Sequence, residues 1–295
     1  METQRMATVA AAPDTGAQWD RIAPAYDRTN TVTQMALAHE ALLRAGLKRN
    51  MRLLDVAAGS GALSVPAARL GAKVIAVDRS PVMLQLLDAR ARREGLDIET
   101  RVMDGHALDL DDDCFDLVAS QFGVMLFPDM PRALREMARV TAPGGTVLMV
   151  AYGDPDHIDF LHLFVRAVQS VRPAFEGPPE DEPPLEFQLA DPERLRSALA
   201  DAGLVDVRVE TITETTAFDS GQALWDWIVS SNPIVERLLD ELEITPEETR
   251  TVRSALDAAF DERRVDGVAR LTNPVNVGLG IRSLLPAAIQ APAPL

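Results

Sequence analysis

The sequence predicts an α/β fold: a doubly wound, mostly parallel seven-stranded sheet carrying a helical lid. Three observations predict it. From Met51 to Gly153, short apolar runs alternate with amphipathic runs of helical period. The first of them, LLDVAAGSGALS from Leu53 to Ser64, leads a strand through a glycine turn into a helix. Beyond Gly153 the alternation breaks, and two further strand patterns lie among helical additions.

In chain order, QWDRIAPAYDRTN opens a helical region that continues through QMALAHEALLRAG to Gly46, a candidate C-cap. MRLLDVA reads as the first strand and ALSVPAARLG as its helix. AKVIAVD is a second strand, followed by SPVMLQLLDARARREG, a helix introduced by a serine cap and a proline. DIETRVM is a third strand. After the acidic loop DGHALDLDDD come the strand FDLVASQ, the helix MPRALREMARV and the strand GGTVLMVAY. Such units imply right-handed crossovers and place ligands at the carboxyl ends of the strands.

DPDHIDFLHLFVRAVQSV then reads as an amphipathic helix, PAFEGPPEDEPPLEF as a mobile loop and DPERLRSALADAG as a capped helix. LVDVRVETITETTAF alternates as a long strand, a helical segment spans 219–264, and VARLTNPVNVGLGIRS forms the last strand. The expected division is a disordered N-terminus (1–16), a core with N-terminal helices (17–153), a lid insertion (154–190), a core continuation (191–218), lid helices (219–264), a final core strand (265–285) and a tail (286–295).

With 47% apolar residues in 295, the chain buries a substantial core. Its net charge of −16 opposes binding to a phosphate backbone, which argues against nucleic acid as a partner. Cys114 is the single cysteine, so an internal disulfide and a cysteine-rich zinc site are excluded and a reducing, cytoplasmic setting is expected. No window approaches the roughly eighteen apolar residues of a membrane span, so a soluble protein is expected. Asp111, Asp112 and Asp113 lack a histidine at ligand spacing and read as a solvated loop, with no metal expected.

A dinucleotide turn wants Gly-x-Gly-x-x-Gly; here Ser64 stands in place of the third glycine. More telling, Asp55 would repel a diphosphate. A ligand carrying an ammonium and a sulfonium removes the conflict, and S-adenosylmethionine is one. Its ribose still wants an acidic partner, which Asp78 supplies at the end of the second strand.

LLDVAAGSG resembles the first motif of the class I S-adenosylmethionine-dependent methyltransferases, which have a Rossmann-like fold, and AVDRSPVML resembles their second. MDGHAL resembles the third. RALREMARVTAPGGTVLMV resembles the helix, Pro-Gly-Gly turn and fifth strand of the ubiquinone/menaquinone-biosynthesis type. The likeness covers 17–153, with one departure at Ala57, where many members have glycine. It implies that Asp55 lies near the methionine ammonium, that Ala57, Gly59 and Gly61 give the backbone room, and that Asp78 holds the ribose. Arg79 and Met83 would pack near the adenine, Asp104 would accept from its amino group, and Gly105 and His106 would meet the ring edge. Ser120 and Gln121 would face the methionine, with Tyr26 closing over the cofactor.

The acceptor is read as a small, largely apolar metabolite, secondary-metabolic or quinone-like, methylated on oxygen or carbon. Phe122, Phe127, Tyr152, Phe160 and Trp225 are its candidate contacts, and Trp225 and Trp227 are expected to point to different sides of their helix. His157 is the candidate base, should the acceptor need one. Two alternatives stand: an NAD(P)-dependent oxidoreductase, which leaves Asp55 unexplained, and a non-catalytic S-adenosylmethionine-binding subunit. A homodimer is left open.

Overall fold

The computed structural model describes residues 16–177, 184–231 and 233–284. Of the expected segments, the N-terminus before Gly16, the tail 286–295 and residues 178–183 of the Pro- and Glu-rich loop lie outside the described residues.

Five strands run parallel: β1 (Arg52–Val56), β2 (Lys73–Asp78), β3 (Ile98–Val102), β4 (Phe115–Gln121) and β5 (Thr141–Tyr152). Two more complete the sheet, β6 (Leu204–Phe218) and β7 (Ala269–Arg282), with β7 antiparallel to both β5 and β6. The order is β3-β2-β1-β4-β5-β7-β6, and it reverses between β1 and β4. Loops leaving those two strands therefore part and open a crevice at the carboxyl edge of the sheet. Helices cover both faces, which is why Leu53, Leu54, Val56, Leu117, Val118 and Val147 to Ala151 are buried in unbroken runs rather than alternately.

The expected continuous N-terminal helix is two helices, α1 (Gly16–Arg28) and α2 (Asn30–Arg44). They part at Thr29, whose hydroxyl donates to the Ala25 carbonyl at 2.9 Å. Next come α3 (Ser64–Arg69) and α4 (Pro81–Glu94); α4 begins where Ser80 Oγ accepts from the Met83 N–H and ends at Gly95 in the left-handed region. After α5 (Met130–Val140), the expected Pro-Gly-Gly turn is a bulge inside β5. Pairing jumps from Phe115 with Thr141 to Leu117 with Thr146, so the intervening residues are extruded around Gly144.

The remaining helices are α6 (Asp159–Gln169), α7 (Pro192–Asp201), α8 (Gly221–Ser231), α9 (Pro233–Glu241) and α10 (Pro246–Arg263). Pro233 and Pro246 each sit at a first helical position, dividing the expected segment 219–264 into three helices. α6, α8 and α10 share a second hydrophobic cluster, distinct from the sheet core, that includes Phe164, Trp225, Trp227 and Phe260. This cap stands on an extension of the sheet. β5 pairs with β7 only as far as Tyr152 with Val275, whereas β6 and β7 continue together to Phe218 with Ala269. The extra rungs carry Phe218, Leu271 and Ala269 into the cap cluster. Buried polar bonds tie the cap to the first two helices: Asn30 Nδ2 donates to Trp227 O (3.1 Å) and Ser230 Oγ (3.0 Å), and Trp227 Nε1 donates to Thr33 Oγ1 (3.0 Å). Among the described residues no helix is long and apolar enough to cross a membrane.

Candidate active site

The turn after β1 is fastened to its neighbours by backbone hydrogen bonds. Ala57 has φ of 58°, the left-handed region that favours glycine. Beyond it, the Gly59 N–H donates to Asp78 Oδ2 at 2.8 Å, and the other oxygen of Asp78 accepts from the Ser80 N–H at 2.8 Å. Gly123 fits against this turn because any Cβ there would lie 2.5 Å from the Ala57 methyl. Asp55 is 1% exposed and accepts from the Ser64 hydroxyl at 2.6 Å. Burial pushes its carboxyl up to about 7; the Ser64 bond opposes that rise, and the nearby Asp78 charge adds to it.

The crevice, about 760 Å³ including its mouth open to solvent, is lined by Tyr26, Asp55, Ala57, Gly59, Asp78, Arg79, Met83, Gly105 and Gln121, all expected from the sequence. Trp19, Met103, Phe122 and Phe127 also line it. Gln121 Nε2 donates to the Gln34 carbonyl at 3.2 Å, while its Oε1 is buried without a hydrogen-bond partner. Phe127, expected against the acceptor, stands instead beside Gly105, where a Cβ would come within 2.7 Å of its ring.

Four expected residues do not line this crevice. At Gly61 the space a side chain would take is filled by Leu87 of α4, so this glycine serves helix packing. Ser120 is buried and its hydroxyl accepts from the Val124 N–H at 3.0 Å, fixing the turn after β4. Asp104 bends back on itself, its Oδ1 taken by the His106 N–H (3.0 Å) and ring Nδ1 (2.8 Å). Burial raises the Asp104 carboxyl, but these two bonds outweigh it and hold the group below its ordinary value. The His106 ring packs on Phe127 at 4.6 Å, on the side away from the crevice.

A second cavity of about 1030 Å³ adjoins the first, and Trp19, Tyr26, Phe122 and Leu126 line both. A file of rings runs along its wall: Phe122 stacks on Tyr152 at 4.5 Å, Tyr152 meets Phe160 edge-on at 5.9 Å, and Phe160 packs outward on Trp227 of the cap at 5.0 Å. Phe122 holds φ of 55°, an uncommon conformation for a bulky residue, at the junction of the two cavities. Trp225 does not line the cavity; its ring is buried in the cap under Arg253, with the guanidinium 6.0 Å from its centroid. His157, the candidate base, lines neither cavity; it is 74% exposed and paired with Asp154 at 3.0 Å.

A family model for the methyltransferase domain matches residues 54–149. The chain is 32% identical to the demethylmenaquinone methyltransferase of Renibacterium salmoninarum, over 66% of its own length and 85% of that protein. It belongs to the class I S-adenosylmethionine-dependent methyltransferases. It is also 35% identical to protein Rv1405c of Mycobacterium tuberculosis, over 65% of this chain and 68% of that one. The fold is shared with the YcgJ protein from Bacillus subtilis (TM-score 0.51, 17% identity, 85% of this chain and 98% of that chain). It is likewise shared with phosphoethanolamine N-methyltransferase 2 of Haemonchus contortus, in complex with S-adenosylmethionine (TM-score 0.51, 19% identity, 84% and 52%). S-adenosylmethionine is the cofactor of this methyltransferase, and the oxidoreductase and non-catalytic alternatives are not favoured.

Sequence reasoning passed over three polar residues of the methyltransferase that the structure brings to or beside the cavities. Gln34 lines the second cavity and is 4% exposed. Its signal was a polar residue inside the buried stripe of α2, one turn before Leu37 and Ala38 and two before Ala41. Glu186 also lines the cavity, from the loop before α7. Glu214 is 9% exposed on β6, on the inward face with Thr216 and Phe218. Burial pushes Glu214 up to about 7 against a weak bond from Asn273, and its charge is one of those that keep Tyr152 protonated.

Proposed function

We propose that this methyltransferase moves the methyl group of S-adenosylmethionine to an oxygen or carbon of a small, largely apolar metabolite held in the aromatic cavity. The observation that carries this reading is the wall shared by the two cavities, where Tyr26, Phe122 and Leu126 bring an acceptor and the cofactor crevice together. The relative from Renibacterium salmoninarum is named for demethylmenaquinone, which supports a quinone-like acceptor.

The residues of the first crevice suit the cofactor. Asp55 offers a buried carboxylate to the ammonium, Gln121 an unpartnered oxygen, Asp78 a carboxylate at the ribose position, and Gly59 and Gly105 close backbone approach. Bound there, S-adenosylmethionine supplies an electrophilic methyl on a sulfonium whose departing sulfur is neutral. The chain therefore has little charge to stabilise on the leaving side. Its task is to hold the acceptor in line and keep water away, which the ring file does. Tyr26 and Tyr152 stay protonated: burial raises both, and nearby carboxylates add to the rise. Neither phenol is a base near neutrality. An acceptor that ionises by itself, or reacts at an electron-rich carbon, suits such a site.

On this reading the segments 154–190 and 219–264 form the lid that selects the acceptor, the core 17–153 holds the cofactor, and 191–218 and 265–285 complete the core. The excess negative charge disfavours nucleic acid, and the lone Cys114 suits the cytoplasm. Each chain carries both cavities, so a homodimer is not required for the reaction. A survey of candidate acceptors with methyl-labelled cofactor tests the proposal: transfer to phenolic or quinol-like compounds supports it, and transfer only to charged amines or polynucleotides overturns it.

A further inference from the structure

We infer that Gln34 is the acceptor-binding residue that selects molecules bearing an oxygen on their apolar frame, its side chain in the wall of the aromatic cavity, with Tyr26 holding the carboxamide oxygen and Gln121 the main-chain carbonyl. The inference rests on the reading of that cavity as the acceptor site. Gln34 lies in the buried stripe of α2 and is 4% exposed, yet it lines a cavity whose other walls are mostly aromatic and aliphatic. Its Oε1 accepts from Tyr26 Oη at 3.2 Å, and its backbone carbonyl accepts from Gln121 Nε2 at 3.2 Å. The Nε2 amide makes no hydrogen bond among the described residues. Nor is Nε2 among the described polar atoms that are both buried and unpartnered, so it is open to the cavity, where water or a polar group of a ligand can pair with it. Ser231, also in the wall, has its hydroxyl committed to the Ile228 carbonyl.

The geometry assigns one end of a polar bridge to each ligand. Gln121 opens on the cofactor crevice and Gln34 on the acceptor cavity, and the bond between them spans the shared wall. An acceptor hydroxyl or carbonyl held by Gln34 is thereby set at a fixed distance from the sulfonium side. The chemical class that fits is an aromatic or polycyclic compound with an oxygen substituent, since an all-hydrocarbon molecule leaves the amide unpaired.

The test uses 1-naphthol and naphthalene as probes, titrated calorimetrically into the full chain saturated with S-adenosylhomocysteine. A hydroxyl without a protein partner makes burial less favourable, so a passive apolar cavity would prefer naphthalene. The wild-type protein is expected to prefer 1-naphthol by about fivefold or more, the usual scale of one hydrogen bond. Gln34→Leu and the volume-matched Gln34→Met should reduce that preference to parity or reverse it, with circular dichroism and the urea unfolding midpoint as the measure of an intact fold. Persistence of the preference in both folded variants overturns the assignment to Gln34. Equal affinities in the wild type overturn the oxygen selectivity while leaving the cavity as an acceptor site. Failure of both probes to bind removes the acceptor reading itself, and the inference with it.

Discussion

Burial keeps Asp55 protonated to about pH 7, and a cation placed beside it shifts that balance. The ionised carboxylate is the form an ammonium or sulfonium favours, so cofactor binding should expel a proton and affinity should rise with pH. Between pH 6 and 8 the expected gain is about tenfold, set by a single group titrating near 7. Calorimetry in buffers of different ionisation enthalpy would detect the released proton, and Asp55→Asn should abolish the pH dependence; a flat profile in the wild type excludes the mechanism. In the unliganded protein the sign is fixed as well. The folded values of Asp55 and Glu214 lie above their unfolded ones, so across about pH 4 to 7 the unfolded chain binds fewer protons. Stability contributed by these groups therefore falls as pH rises through that window and is level above it. Ala57 offers a second check. With φ of 58° it pays the strain of the left-handed region, and Ala57→Gly should stabilise the fold by about 0.5–1 kcal/mol in urea denaturation. The resemblance implied glycine at this position in many members, but nothing in the sequence told that Ala57 takes a left-handed backbone angle, nor that Gly123 yields the space.

At the scale of elements, α6 and α8 have separable duties that single substitutions can distinguish. Phe160→Ala opens the ring file at its centre, so turnover per acceptor encounter should fall about ten- to a hundredfold while cofactor affinity changes little. Trp225→Ala acts elsewhere, since that ring is buried in the cap. It should cost about 3–5 kcal/mol of stability without a selective effect on the acceptor, judged by kcat/KM beside urea unfolding. Equal losses of cofactor affinity and turnover in folded Phe160→Ala would show that α6 belongs to the cofactor site. The two tryptophans also mark what was legible. Their spacing predicted opposite directions, yet both are buried in the cap, and Trp227 is placed there by a bond to Thr33, 194 residues away in sequence. Similarly, His157 was proposed for its place just past β5, but a surface pairing with Asp154 fixes it outside. Local pattern reveals an element's face; long-range partners decide what that face meets.

For the molecule as a whole, a net charge of −16 makes self-repulsion a standing cost of compactness. Raising sodium chloride from about 10 mM to 150 mM shortens the screening length from about 30 Å to 8 Å, so the melting temperature should climb by a few degrees. A decrease, read by differential scanning calorimetry, would mean that attractive pairs such as Arg90 with Asp27 dominate the balance. The strands β1, β4 and β5 were readable because a parallel sheet covered on both faces writes itself as unbroken apolar runs, and β6 by its alternation; the order of the strands was not predicted. The cap was readable as helices but not as an arrangement, because its pairing to α1 and α2 rests on Asn30, Trp227 and Ser230 meeting across the chain. The overhanging pair β6 and β7 has a further consequence. Phe218 and Ala269 are partners in the ladder, so the chain leaves the sheet and returns to it at one point. The stretch 219–268 is therefore inserted at a single seam, like a cartridge in a holder. If the proposed lid role holds, a chimera joined at Phe218 and Ala269 that keeps the contacts to Asn30 and Thr33 is expected to change its acceptor range while keeping its cofactor.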